Sequence, residues 1–213
     1  MLLYSRLLMF SALLTAPAWG TTLYSDGAIN GTSNAQYLDQ GYAVSDSFVL
    51  SSDSTLTGVS NIGIWVTGGD TLTSFDWIIS TSPGGAGTLE GSGSGFSSAT
   101  ELTPTSSYGN SGAYNVYNVG FTISDLVLTA GTYYLTLQNA TSSAGIVAWD
   151  WNYIGSSTAY YYYGGVQYAG FSSPFEIDGT VDTPEPNEMV LLATGLAALA
   201  ALTLRKKIHA SRA

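Results

Sequence analysis

The chain has 213 residues, a formal net charge of −10, no Cys, and 9% charged against 45% hydrophobic residues. Its five Lys and Arg residues are Arg6, Arg205, Lys206, Lys207 and Arg212, and its one His is His209; all 15 acidic residues fall between Trp19 and Glu188, where no cation occurs. This pattern excludes phosphate-backbone recognition by the body of the chain. It also excludes thiol, lysine and histidine catalysis there, and the hydrophobic content argues against disorder.

Taken in chain order, the first segment is a secretory signal. Met-Leu-Leu-Tyr-Ser-Arg is followed by an apolar run, 7–14, and then by Ala16-Pro17-Ala18-Trp19-Gly20. One positive charge, a short apolar stretch and a small-residue site are the three parts of an export signal. The run is too short for a stable membrane span. Cleavage is expected after Gly20, with Ala18 as the alternative.

Residues 21–180 read as one β-rich domain, large enough for a proper core. The 25 glycines and the long Ser, Thr, Asn and Tyr stretches favour strands and turns over helices. Alternation and β-branched or aromatic content predict strands over 43–50, 55–66, 74–81, 113–123, 131–138, 146–153 and 175–180. Ile62, Ile64 and Val66 share one face, as do Tyr133, Leu135 and Leu137. Turns are expected at Gly68-Gly69-Asp70, Pro83-Gly84-Gly85-Ala86-Gly87, 91–95, Gly109-Asn110-Ser111-Gly112 and Gly164-Gly165. Short strands with regular turns predict an all-β, antiparallel β-sandwich or jelly-roll-like domain.

The last segment, 181–213, holds Pro184-Glu185-Pro186, an apolar stretch 189–204 and the cluster Arg205-Lys206-Lys207. As a helix the apolar stretch spans about 24 Å, short of a roughly 30 Å hydrocarbon core, and snorkelling of its flanking cations extends that reach. The basic cluster is expected to stay cytoplasmic, leaving the domain outside. These three parts, in this order, resemble a PEP-CTERM sorting signal. The resemblance implies an exported protein of an exopolysaccharide-producing Gram-negative bacterium, processed near Pro184-Glu185-Pro186 by exosortase. Three body segments, Val44-Ser45-Asp46-Ser47-Phe48, Gly69-Asp70-Thr71-Leu72-Thr73-Ser74 and 130–139, also resemble PEP-CTERM exported proteins of unassigned activity. That resemblance brings no catalytic residues.

The chemistry left open to the body is narrow. Two carboxylates can hydrolyse a glycosidic bond, and Asp76, Glu90, Glu101, Asp150 and Glu176 are available, but nothing in the sequence brings two of them together. Calcium takes oxygen ligands. Asp46, Asp53, Asp70 and Asp150 lie in or near turns, yet no Asp-x-Asp-x-Asp-Gly loop is present, and no cofactor is expected. Sugar binding is the better-supported chemistry. Trp149, Trp151 and Tyr153 alternate with Asp150 and Asn152, which on a strand puts the rings on one face, while Tyr160 to Tyr163 put two rings on each face. The same aromatics are ordinary core residues of a sheet. The functional expectation is a non-catalytic cell-surface or matrix protein, sorted by exosortase and associated with exopolysaccharide. A carbohydrate-binding module is the alternative, and a hydrolase stands behind it.

Overall fold

The computed structural model describes residues 20–31, 34–102, 113–152, 155, 157–182 and 194–195. The chain divides into two compact units, Met1–Val181 and Asp182–Ala213. Residues 1–19 of the expected signal 1–20, Tyr153, the Gly109–Gly112 cluster, the Pro184-Glu185-Pro186 motif and Arg205, Lys206 and Lys207 lie outside the described residues. Among the described residues, no helix is long and apolar enough to cross a membrane.

The first unit is all-β, built as two antiparallel sheets. Its strands are β1 (Thr21–Ser25), β2 (Ala35–Tyr37), β3 (Tyr42–Leu50), β4 (Ser54–Thr67), β5 (Leu72–Ser80), β6 (Leu89–Ser94) and β7 (Ser98–Glu101), then β8 (Tyr114–Leu128), β9 (Gly131–Ser142), β10 (Val147–Asp150), β11 (Ala159–Tyr163), β12 (Val166–Ala169) and β13 (Glu176–Val181). One sheet is organised around β4. One edge of β4 pairs with β8, which carries β7; the other pairs with β13 through residues 54–60 and with β10 through residues 64–66. Strand β1 extends β13, and β2 extends β10. The second sheet runs β12-β11-β3-β9-β5-β6.

The strands expected from alternation are present, and the expected inner faces are buried. Ile62, Ile64 and Val66 are fully buried, and Tyr133, Leu135 and Leu137 join them in the core with Phe48, Phe75 and Trp149. The long strand β4 serves two partners on one edge because it bends. Its register against β8 shifts between Val59 and Ile62, and Asn61 between them takes a left-handed φ of 55°. Asn tolerates that region better than most residues, and its Nδ2 donates to Gly27 O at 3.0 Å. The bulge resets the alternation, so Val59 and Ile62 both face inward.

Two expectations need correction. The strand expected over 146–153 ends at Asp150; the Trp151 N–H still donates to Asn34 O at 3.0 Å, but the strand carries no further aromatic beside Trp149. The glycine cluster 91–95, expected as a turn, is mostly strand β6. Its glycines serve packing: a Cβ on Gly93 would stand 2.6 Å from the Trp77 ring. Trp77 in turn stacks on Phe121 across the core at 4.8 Å. Gly93→Ala is therefore expected to lower stability by about 1–3 kcal/mol, with altered Trp77 fluorescence, measured by urea unfolding of the purified protein. Wild-type stability would refute this packing role.

Candidate functional site

The register of the first sheet places Val116, Trp65, Ala148 and Tyr37 directly opposite one another across β8, β4, β10 and β2. Directly paired residues lie on the same face of a sheet. The core side carries Ile64, Val66 and Trp149, so this row lies on the outer face. There Trp65, Val116 and Ala148 form a small second cluster, flanked by Ile29, Ala35 and Tyr114. The Trp65 and Tyr114 rings meet at 5.6 Å. Above them lies a cleft of about 300 Å³, lined by Asn34, Ala35, Tyr37, Trp65, Tyr114, Ile146 and Ala148.

Tyr37 stands where β2 ends this sheet, and it touches a second group of aromatics. Its ring meets Tyr42 edge-on at 5.6 Å, and Tyr42 stacks on Tyr163 at 4.2 Å with planes 16° apart. Alongside, Tyr161 stacks on Tyr168 at 4.9 Å. The register explains both stacks, because Tyr163 is paired with Tyr42 and Tyr161 with Tyr168. Tyr37, Tyr163 and Tyr168 are 40%, 50% and 42% exposed. Desolvation, together with the nearby phenols of Tyr163, Tyr37, Tyr161 and Tyr168, pushes the Tyr42 hydroxyl up from its ordinary pKa. Tyr37 thus borders both the cleft and a tyrosine platform built from Tyr42, Tyr163, Tyr161 and Tyr168. The other two tyrosines of the run turn away: Tyr162 lies over Gly84, and Tyr160 lies near Tyr134.

The sequence-predicted sugar set does not assemble as a platform. Trp149 is fully buried, packs against Phe175 and donates its indole N–H to Pro174 O at 3.1 Å. It points into the core because its register partners are Ile64 and Gln36, one row away from the outer-face residues. Trp151, beyond the strand, meets Phe171 at 4.6 Å. Asp150 is fully buried but adjoins the cleft from beneath. Its Oδ1 accepts the Trp65 indole N–H at 2.9 Å, and its Oδ2 accepts the Asn30 and Gly31 N–H groups at 2.7 and 2.8 Å. Asp150 therefore positions the floor of the cleft and ties down the 29–31 loop. Burial pushes its pKa up to about 6, against the lowering effect of those hydrogen bonds.

Sequence reasoning missed Tyr37, Tyr42, Tyr114 and Tyr168. The signal for Trp65 was present: placing Ile62, Ile64 and Val66 inward leaves Trp65 facing out. Tyr37 and Tyr42 are brought into the site only by strand pairing, which no local pattern encodes.

The other carboxylates are distributed structurally. Asp76, Glu90, Glu101, Asp150 and Glu176 sit on five different strands. Hydrogen bonds from Ser94 Oγ (2.6 Å) and Asn139 Nδ2 (2.8 Å) hold the Asp76 carboxyl below its ordinary pKa. Of the aspartates considered for calcium, Asp53 accepts Ala130 N–H at 2.8 Å, Asp70 accepts Ser143 Oγ–H at 3.0 Å, and Asp46 accepts the Ser47 and Ser173 N–H groups, each at 2.7 Å. Among the described residues no group of three or more His, Cys, Asp or Glu is placed to hold a metal. Near Asp46, buried Asp26 accepts Tyr24 O–H at 3.1 Å, Ser157 O–H at 2.8 Å and Ser172 O–H. Desolvation, opposed by hydrogen bonds and reinforced by Asp26, raises Asp46 to about 7. The same burial and the neighbouring aspartates raise Tyr24.

No family model matches the chain, and no curated protein matches it.

Asp46 and Asp150 bind protons more tightly folded than unfolded, where a carboxyl titrates near 3.8. Their contribution to stability is full below that value. It is lost as the pH rises through about 6 and about 7. The thermal midpoint is therefore expected to fall between about pH 4 and about pH 8. Asp46→Asn, neutral at every pH, should flatten the slope. An unchanged slope in that variant would remove Asp46 as a cause.

Proposed function

We propose that this chain is an exported, non-catalytic protein of the cell surface or extracellular matrix, sorted by an exosortase system and retained among exopolysaccharide. The observation that carries this reading is the tail: Pro184-Glu185-Pro186, the apolar stretch 189–204 and Arg205-Lys206-Lys207, in a chain opening with an export signal. The physical logic is sequential. The signal carries the body across the inner membrane. The apolar stretch then holds it there with its cations on the cytoplasmic side. Cleavage near the Pro-Glu-Pro turn separates every cation after Gly20 from the body, leaving an acidic domain that resists self-association.

Within this reading the body is a jelly roll. Strands β2-β10-β4-β8 and β3-β9-β5-β6 form the two four-stranded layers, and the chain alternates between them except at the β5–β6 hairpin, the order that two Greek keys give. The pairs β1/β13 and β11/β12, with β7, extend that frame. The second reading, a carbohydrate-binding module, is favoured by the tyrosine platform. Tyrosine offers a sugar an apolar ring face and a polar tip at once, and the adjoining cleft is concave. Both readings agree if the module is what retains the sorted protein in the matrix.

Intact mass of the protein recovered from its native envelope and medium tests the sorting reading. The mature form is expected to begin near Thr21 and to lack the residues after Pro186, with the tail retained in a strain lacking exosortase. An intact C-terminus in both strains would overturn the proposal.

A further inference from the structure

The tyrosine platform also points to the class of its ligand, an inference that rests on the carbohydrate-binding reading above. The exposed tyrosines stand at the margins of both sheets. Trp65 and Tyr114 lie at the cleft, Tyr37 stands at the turn of the edge, and Tyr42, Tyr163 and Tyr168 stand on the second sheet. A single sugar would cover one or two of these rings. Trp65 is only 4% exposed and forms the cleft floor, so an extended chain would lie across Tyr37, Tyr163 and Tyr168.

Charge narrows the class further. No Lys, Arg or His occurs between Trp19 and Glu188, so nothing in the domain can neutralise a uronate, sulfate or phosphate on a sugar. Asp39 lies in the turn joining the strands that bear Tyr37 and Tyr42, with its Oδ2 accepting Val147 N–H at 3.3 Å, and adds local negative charge. Twelve carboxylates within 21–180, the chain's 15 less Asp182, Glu185 and Glu188, act in the same direction at longer range. An anionic polymer is therefore repelled both at the platform and on approach.

We propose that the Tyr37–Tyr42–Tyr163 platform binds a run of several residues of an uncharged polysaccharide chain, by stacking on its exposed tyrosine surfaces. Affinity then grows with chain length, because each added sugar reaches another ring. It changes little with salt, because no ion pair contributes.

The test is affinity electrophoresis and calorimetry of the purified protein. The panel holds β-1,3- and β-1,4-linked glucans, a mannan, a xylan, a polyuronate, and polysaccharide from the native matrix fractionated into neutral and acidic pools. Oligosaccharides of increasing length from the tightest binder complete it. The expected result is binding to an uncharged polymer and not to the polyuronate or the acidic pool. Binding should tighten about tenfold or more from monosaccharide to hexasaccharide and persist in high salt. Tyr42→Ala and Tyr163→Ala should each weaken it about tenfold, with thermal midpoints confirming a folded protein, and Tyr42→Phe should keep most of it. Binding to the polyuronate or acidic pool alone, sensitive to Tyr42→Ala, would overturn the ligand class while leaving the platform as a sugar site. A monosaccharide that bound as tightly as the hexamer would likewise overturn the extended-chain class and leave the sugar site standing. No binding to any member, or binding that Tyr42→Ala, Tyr163→Ala and Tyr114→Ala all leave unchanged, would overturn the carbohydrate reading itself.

Discussion

A domain that contains carboxylates and no cation can satisfy a buried acid only with N–H donors, O–H donors or a proton, and the architecture of this protein follows from that constraint. Asp150 is held by two loop N–H groups and an indole. Asp46 is held by two backbone N–H groups, and Asp26 by a phenol and two serine hydroxyls. Each arrangement joins segments far apart in sequence. Asp150 links β10 to the 30–31 loop and to β4; Asp26 links the end of β1 to residues 157 and 172. The buried acids thus tie the fold together where salt bridges would in more evenly charged proteins, and their burial without a cation raises the pKa values of Asp46 and Asp150 against the lowering effect of those hydrogen bonds.

The same constraint shapes the surface around the cleft. With no cation between Trp19 and Glu188, that surface presents aromatic rings, amide groups and hydroxyls. The cleft and platform are built from those groups. Asp150 connects the two themes, since it is buried, structurally bound and positioned to fix the Trp65 indole at the cleft floor. Its value to the site is positional and does not require contact with a ligand.

The two sheets differ in what their outer and marginal faces offer. The sheet around β4 carries a partly covered apolar cluster on its outside, which gives the cleft a floor. The other sheet extends at β11 and β12, where Tyr161 packs against the margin of the core and Tyr163 and Tyr168 stay half exposed. The platform adjoins the cleft because β2 ends one sheet beside the start of β3 in the other, bringing Tyr37 against Tyr42.

Local pattern along the chain is enough to give the all-β class, the longer strands, and the inward faces of β4 and β9, because period-two alternation reports which side of a strand is buried. The absence of basic chemistry in the body is likewise legible, since it is a matter of composition. Alternation misleads at Trp149 and Trp151, where an aromatic pattern resembles an exposed platform but register turns Trp149 inward and the strand stops before Trp151. Glycine content misleads at 91–95, where the glycines make room for the Trp77 ring inside a strand. That Tyr163, distant in the chain from Tyr37 and Tyr42, joins them beside the cleft floored by Trp65 is settled by the three-dimensional fold alone. Pairing between distant strands brings them together, and cross-strand neighbours leave no local trace in the chain.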